Sequence, residues 1–300
     1  MDKLRAVTFF CRAVEAKSFA AAAEVLDVTP SALSKAIGVL EKELNSSLFN
    51  RSTRHLSLTP EGAAYYERCR QILQDLEDAE SVAFGGRTEP RGTLRVGLHP
   101  AVRLAVVSEL RNFLEANPNL NVETTTTNTP SMLLTGGLDV IVRIGEMADS
   151  GLVARQLGWT EFVVCASPAY LRARGRPTKP EDLANHPAII YARPDEEPNL
   201  EWEFVRGASQ RVVAVPMRLV VRDGVGGVDA AIKGCGILRP FEIAVREAVA
   251  AGQLEVLLPE WSSDKVALFA VFPKRRMLPA KVQAFLDFVQ HIVTNRRTKA

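Results

Sequence analysis

Residues 18–44, SFAAAAEVLDVTPSALSKAIGVLEKEL, decide how the rest of this chain is read. Phe19, Ala22, Ala23 and Leu26 recur at helical spacing, Asp27-Val28 interrupts the pattern, and Thr29-Pro30 opens a second helix with a capping hydroxyl and a proline at the first position. That second helix buries Leu33, Ile37, Leu40 and Leu44, at spacings of four, three and four. Its opposite face carries Ser31, Ser34 and Lys35 close to the helix start. Two short helices joined by a tight turn, with small and basic groups at the start of the second, suit a helix-turn-helix whose second helix meets base edges and phosphates.

Working outward, residues 2–16 predict a first helix from the recurrence of Leu4, Val7, Phe10, Cys11 and Val14. After Leu44, the run NSSLFNRSTRHLSLTPEG begins with turn formers and continues as two short alternating pieces around Arg51, Ser52, Thr53, Arg54 and His55. This reads as a β-hairpin wing with a dense donor cluster for phosphates, or as a solvated loop. Thr59-Pro60-Glu61 then starts a helix to about Phe84, along which Tyr65, Cys69, Ile72, Leu76, Ala79 and Ala83 recur as a heptad seam. Such a seam predicts a partner helix. The run GGRTEPRG at 85–92 follows as a hinge.

From Thr93 the pattern changes to strands alternating with helices. TLRVGL, LNVETTT and DVIVRIG are predicted strands, with helices at 102–116 and 131–135 between them. WTEFVVCAS begins a second set that continues through AIIYA, QRVVAVPMRLVV, a helix near 228–233, GIL and a helix at 243–251, and KVALFAVF with a helix at 279–293 closes the chain. This predicts two α/β lobes with largely parallel sheets, crossed twice by the chain, and a ligand cleft at the carboxyl ends of strands.

The TPSALSKAI and LFNRSTRHLSLTPEG segments, the helix after them, and DVIVRIGEMADSGLVARQLG with ASPAYLRARGRPTKPEDLANHP together resemble the LysR-type transcriptional regulators. The resemblance is dense over residues 1–84 and continuous beyond. It implies a mainly α winged helix-turn-helix with a long linker helix, followed by a two-lobed α/β effector-binding domain like a periplasmic solute-binding protein. The expected division is a DNA-binding domain at 1–59, a linker helix and hinge at 60–90, and an effector domain at 91–300. Lobe I takes about 91–163 plus 268–300 and lobe II about 164–267. Matching the family's motif residue by residue puts DNA contacts at Thr29, Pro30, Ser31, Ser34, Lys35, Arg51, Thr53 and Arg54. Ala20 departs from it, since many relatives carry a hydroxyl there. The resemblance further implies dimers through the linker helix and their pairing into tetramers, with double-stranded promoter DNA as partner and RNA polymerase as a candidate partner.

For the effector, the loops around Pro100, Ala101 and Val102, around Thr125, Thr127 and Thr129, and around Val225 and Gly226 would converge between the lobes. The threonines offer hydroxyls or merely β-propensity, and the turn at 224–227 offers backbone N–H groups to a small anion, an organic or aromatic acid. Ala101 stands where relatives often have Ser or Thr. Arg143 matches an arginine common in the family and fits a carboxylate, or an ion pair with Glu146 or Asp149.

Composition narrows the other classes. No window reaches the roughly 18 apolar residues of a membrane span and the start MDKLRAV has no signal-peptide core, so a cytoplasmic protein is expected. A net charge of +2 places any DNA affinity in local clusters, not in overall charge. The four cysteines have no close pair, and Cys235 in Gly-Cys-Gly reads as a packing residue, so no metal or other cofactor is expected. Without a nucleophile elbow, a phosphate loop or clustered carboxylates in the cleft loops, an enzyme is not expected.

Overall fold

A computed structural model describes residues 2–50, 56–83, 89–135, 137–145, 151–193, 196–261, 263, 265–274 and 278–294, without the side chains of 74, 77–83, 134 and 135. The chain divides into two compact units, Met1–Thr88 and Glu89–Ala300.

In the first unit, α1 (Lys3–Ala16), α2 (Phe19–Val25) and α3 (Pro30–Leu44) form a three-helix core. Each begins on a side-chain cap. Asp2 accepts from Leu4, Ser18 from Ala21 and Thr29 from Ala32, which satisfies amides that a helix start leaves unpaired. The turn between α2 and α3 passes through Asp27 at φ 51°, a left-handed conformation that Asp tolerates. Strands β1 (Phe49–Asn50) and β2 (Ser57–Leu58) pair antiparallel as the base of the wing, and its tip, with Arg51, Thr53, Arg54 and His55, lies outside the described residues. The Glu41 carboxylate on α3 accepts the N–H groups of both Leu48 and Phe49, so the recognition helix itself holds the first strand. Thr59 caps α4 (Pro60–Ala83) through Gly62 and donates its hydroxyl to the Ser47 carbonyl. A Cβ at Gly62 would lie 2.0 Å from the Leu48 carbonyl oxygen, so only glycine allows this approach.

The heptad seam of α4 divides in the structure. Tyr65 and Cys69, with Tyr66 and Leu73, pack on the unit's own core around Phe10, whose ring meets those of Phe49, Tyr65 and Tyr66. Ile72 and Leu76 remain exposed, and the side chains of Ala79 and Ala83 lie outside the described residues. The exposed part of the seam is therefore shorter than the periodicity predicts, because the helix as far as Leu73 also serves the helix-turn-helix core.

The second unit holds two five-stranded sheets. The first contains β3 (Gly92–Leu98), β4 (Leu120–Thr126), β5 (Val140–Ile144) and β6 (Val153–Thr160). Helices α5 (Pro100–Ala116) and α6 (Met132–Thr135) connect them. The chain then crosses to β7 (Val164–Ala166), α7 (Pro168–Arg174), a 3-10 turn at Pro180–Asn185, β8 (Ala188–Tyr191), a hairpin of β9 (Glu201–Arg206) and β10 (Ser209–Ala214), and β11 (Met217–Val221). Helix α8 (Gly224–Ile232), β12 (Ile237–Leu238), α9 (Glu242–Ala250) and β13 (Glu255–Leu257) complete that lobe. The chain returns as β14 (Val266–Phe272) and α10 (Ala280–Thr294) to the first.

The sheet orders β4-β3-β5-β14-β6 and β11-β8-β12-β7-β13 share one pattern of two parallel pairings followed by two antiparallel ones. Both are thus mixed where largely parallel sheets were expected, since the strands next to the crossings run against their neighbours. Three further expectations change. WTEFVVCAS belongs to two strands, β6 and β7; Val215-Pro216 divides QRVVAVPMRLVV into β10 and β11; and Gly224–Gly227 is the first turn of α8, not a loop. The glycines hid a helix start that Asp223 caps through Gly226 N–H.

Candidate DNA-binding surface and effector cleft

The exposed face of α3 carries Thr29, Pro30, Ser31, Ser34 and Lys35, while Leu33, Ala36, Ile37 and Leu40 point into the core. Thr29 and Ser31 hydroxyls lie 3.2 Å apart at the helix start, where the partial positive charge of the N-terminus favours phosphate. Ala32 shares this exposed face and escaped the sequence reading, because a methyl group carries no polar signal. Apolar contact to a thymine methyl is chemistry open to it.

In the second unit, both α5 and α8 begin at the carboxyl ends of strands and their N-termini meet. A Cβ placed on Gly224 would be 2.8 Å from the Pro100 Cβ, so glycine is what allows the two helix starts to touch across the lobes. The His99 side chain caps α5 by accepting the Ala101 N–H at Nδ1, 3.1 Å away, which leaves the proton of a neutral ring on Nε2. Burial lowers the His99 pKa from 6.5 to about 4, and the nearby guanidinium groups of Arg143 and Arg193 push the same way. Arg143 on β5 loses hydration, and burial lowers its pKa. Tyr191, at the end of β8, is pushed up by burial, with Arg193 opposing and Asp223 adding to that shift. Glu146 and Asp149, the alternative partners for Arg143, lie outside the described residues.

The structure thus brings Pro100, Arg143, Val225 and Gly226 toward one region through His99 and the α5–α8 contact, while Ala101 is buried in the first lobe's core with its N–H already accepted by His99. Val102 does not line that region. It is fully buried in the core of the first lobe, because the third residue of α5 points back onto the sheet. Thr125 is exposed on the edge strand β4, and Thr127 is nearly buried, its hydroxyl accepting the Thr129 N–H at 3.1 Å. For Thr127 a turn-forming role accounts for that bond. Arg193, Tyr191 and Asn128 were missed. Asn128 Oδ1 is buried with no hydrogen-bond partner among the described residues. No pattern in the sequence separates these three from ordinary surface residues.

Residues 4–63 match the bacterial regulatory helix-turn-helix protein, lysR family, and residues 87–293 match the LysR substrate binding domain. The chain belongs to the LysR family of transcriptional regulators. It is 35% identical over 289 residues to the HTH-type transcriptional activator AaeR of Escherichia coli, covering 96% of this chain and 93% of that one. The solved structure of CrgA, a LysR-type regulator from Neisseria meningitidis, matches with TM-score 0.61 and 32% identity over 97% of this chain and 99% of that chain. The full-length virulence activator AphB of Vibrio cholerae matches with TM-score 0.54 and 26% identity, covering 96% and 98%. All three are named as activators or regulators. Among the described residues no helix is long and apolar enough to cross a membrane.

Because the folded ring has its pKa depressed from 6.5 to about 4, His99 contributes stability that is complete above the unfolded value and is lost as pH falls toward the folded one. His99→Asn keeps an acceptor for Ala101 and removes the titration. Urea midpoints should fall less between pH 7 and pH 4 in this variant than in the wild type; parallel pH curves would remove His99 from the linkage.

Proposed function

We propose that this LysR-type regulator binds a small organic or aromatic acid between its lobes and that the ligand alters how paired DNA-binding units engage a promoter. The observation that carries this reading is the meeting of two helix N-termini with the guanidinium groups of Arg143 and Arg193 near by. Each helix start presents about half a positive charge. A carboxylate there gains charge-assisted hydrogen bonds in a partly dehydrated place. Asp223 already satisfies one amide of α8, so a single carboxylate, not a larger phosphate, is the better fit. No metal or other cofactor is needed. Closing the lobes can bias the angle between linked DNA-binding units only through unequal affinity for the two states, usually a coupling of about 1–3 kcal/mol.

Double-stranded DNA is contacted by Thr29, Pro30, Ser31, Ser34 and Lys35 of α3 and by Arg51, Thr53 and Arg54 of the wing in this reading. Dimers form through α4, with Ile72 and Leu76 as the apolar contacts, and pair into tetramers. A regulator of chromosomal promoters acts in the cytoplasm, and RNA polymerase is its candidate partner there.

Arg51→Ala or Arg54→Ala should weaken binding to all DNA sequences and flatten the salt slope by about one unit for each lost phosphate contact. An unchanged slope in both variants removes the wing from the interface. The double substitution Ile72→Glu with Leu76→Glu should leave each unit folded, since both side chains are exposed, while lowering the association state in sedimentation experiments. Dimers that persist at wild-type affinity would rule out this contact. Thermal shifts of the full chain with a panel of small carboxylates should find a stabilising ligand, and Arg143→Ala should lose that response without losing stability. Lost stability would instead make Arg143 structural, and a panel without any shift would count against small-molecule control.

A further inference from the structure

The second lobe carries a separate concavity of about 550 Å³, away from the cleft, lined by Tyr170, Arg174, Pro187, Arg218, Lys233 and Cys235 together with small residues of α7 and the turn after α8. It lies at the opposite strand ends. Pro187 precedes β8, Arg218 is the second residue of β11 and Lys233 to Cys235 precede β12, whereas the cleft residues follow β3, β8 and β11. Its volume is that of a small-molecule site.

Its charge is unbalanced. Arg95, Arg155, Arg176, Arg193, Arg211 and Arg246 of the same unit each pair with a carboxylate. Arg174, Arg218 and Lys233 form no ion pair among the described residues. Arg174 lies in the last turn of α7 and Lys233 caps α8, so both offset the negative ends of helices. Two such ends amount to about one negative charge, which leaves roughly two of the three positive charges uncompensated. Arg218 stands on an edge strand with no helix end to account for it. The wall is firm, because Tyr170 is buried and its hydroxyl lies 3.1 Å from His186 Nδ1, itself buried. Gly234, at φ 79°, keeps the turn close to Ser167 and Tyr170.

We infer that this concavity is a second ligand site, for a small molecule carrying two or more negative charges such as a polycarboxylate or a phosphorylated metabolite. Three cations spread around one hollow favour a multiply charged ligand over the single carboxylate of the cleft. The site therefore stands or falls independently of the cleft.

Cys235 reports on it directly. Its side chain is exposed at the rim, contrary to the packing role its flanking glycines suggested, while Cys11, Cys69 and Cys165 are buried. In the full chain at constant ionic strength, citrate or inorganic pyrophosphate should slow alkylation of Cys235 by neutral iodoacetamide in a saturable manner. Protection by citrate alone assigns polycarboxylates, and protection by pyrophosphate alone assigns phosphorylated ligands. Arg218→Gln with Lys233→Gln should weaken the protection by about tenfold or more, the loss expected from removing charge-assisted hydrogen bonds. Arg143→Ala, in the cleft, should leave the protection curve in place. The inference is overturned if neither probe protects Cys235 up to millimolar concentrations, if the double variant saturates as the wild type does, or if Arg143→Ala abolishes protection.

Discussion

The effector domain depends on the knot where the chain passes between its lobes. Phe162, at the outward crossing, donates its N–H to Ser263 Oγ (2.7 Å), just before the returning strand β14. On either side Val163 N–H donates to the Pro240 carbonyl and Glu242 N–H to the Glu161 carbonyl. The Phe162 and Phe241 rings stack at 4.2 Å, Arg239 lies 4.6 Å over the Phe162 ring, and His99 meets the edge of Phe241. A short set of backbone bonds covered by aromatic rings can bend while keeping its register, which is what a two-lobed binder needs from its connection. The same knot places the α5 cap beside the crossing, so a ligand at His99 would act close to the pivot.

Each lobe is made firm by other means. In the first, Lys281 of α10 is buried with its Nζ 3.1 Å from the Thr93 carbonyl and 3.4 Å from Asp139, whose other oxygen accepts the Arg95 N–H. This joins the last helix to the beginning of the first strand of the domain. Dehydrating such a pair costs much of what its attraction returns, so its net contribution is small, although removing one partner would leave a buried charge unpaired. The apolar core formed by Val96, Leu98, Val102, Phe113, Phe285 and Val289 carries the larger share of stability. In the second lobe, α9 contributes Ile243 to the first lobe's core and Val245 and Ala248 to the second's, so the two cores share one helix.

In the DNA-binding unit the same economy of surface appears on α3 and α4. Every apolar residue of α3 that turns inward leaves Ser31, Ser34 and Lys35 outward, and Glu41 fixes the strand that leads to the wing. Helix α4 serves two masters in succession: Tyr65 and Cys69 close the core, and Ile72 and Leu76 stay bare. A core-facing stretch and an exposed apolar stretch can thus be written in one uninterrupted heptad pattern.

Periodicity by itself determined the helix-turn-helix, the linker helix, the change to α/β units near residue 92 and most strands, because 3.6- and 2-residue patterns act over neighbours in sequence. The exposed residues of the recognition helix followed from the same pattern. Tertiary structure decided what depends on distant partners. It divided the α4 seam, since periodicity records an apolar face but not what covers it. It turned Gly224–Gly227 into a helix start, since only the Asp223 cap and the approach of Pro100 reveal why four residues rich in glycine are helical. It sent Val102 into the core and brought Tyr191, at the end of β8, and Arg193, just beyond it, toward His99 and Asp223, with no sign of this in their local composition. It exposed Cys235 and brought Arg218 of β11 beside the turn that holds Lys233 and Cys235, a meeting that needs the sheet of the second lobe assembled.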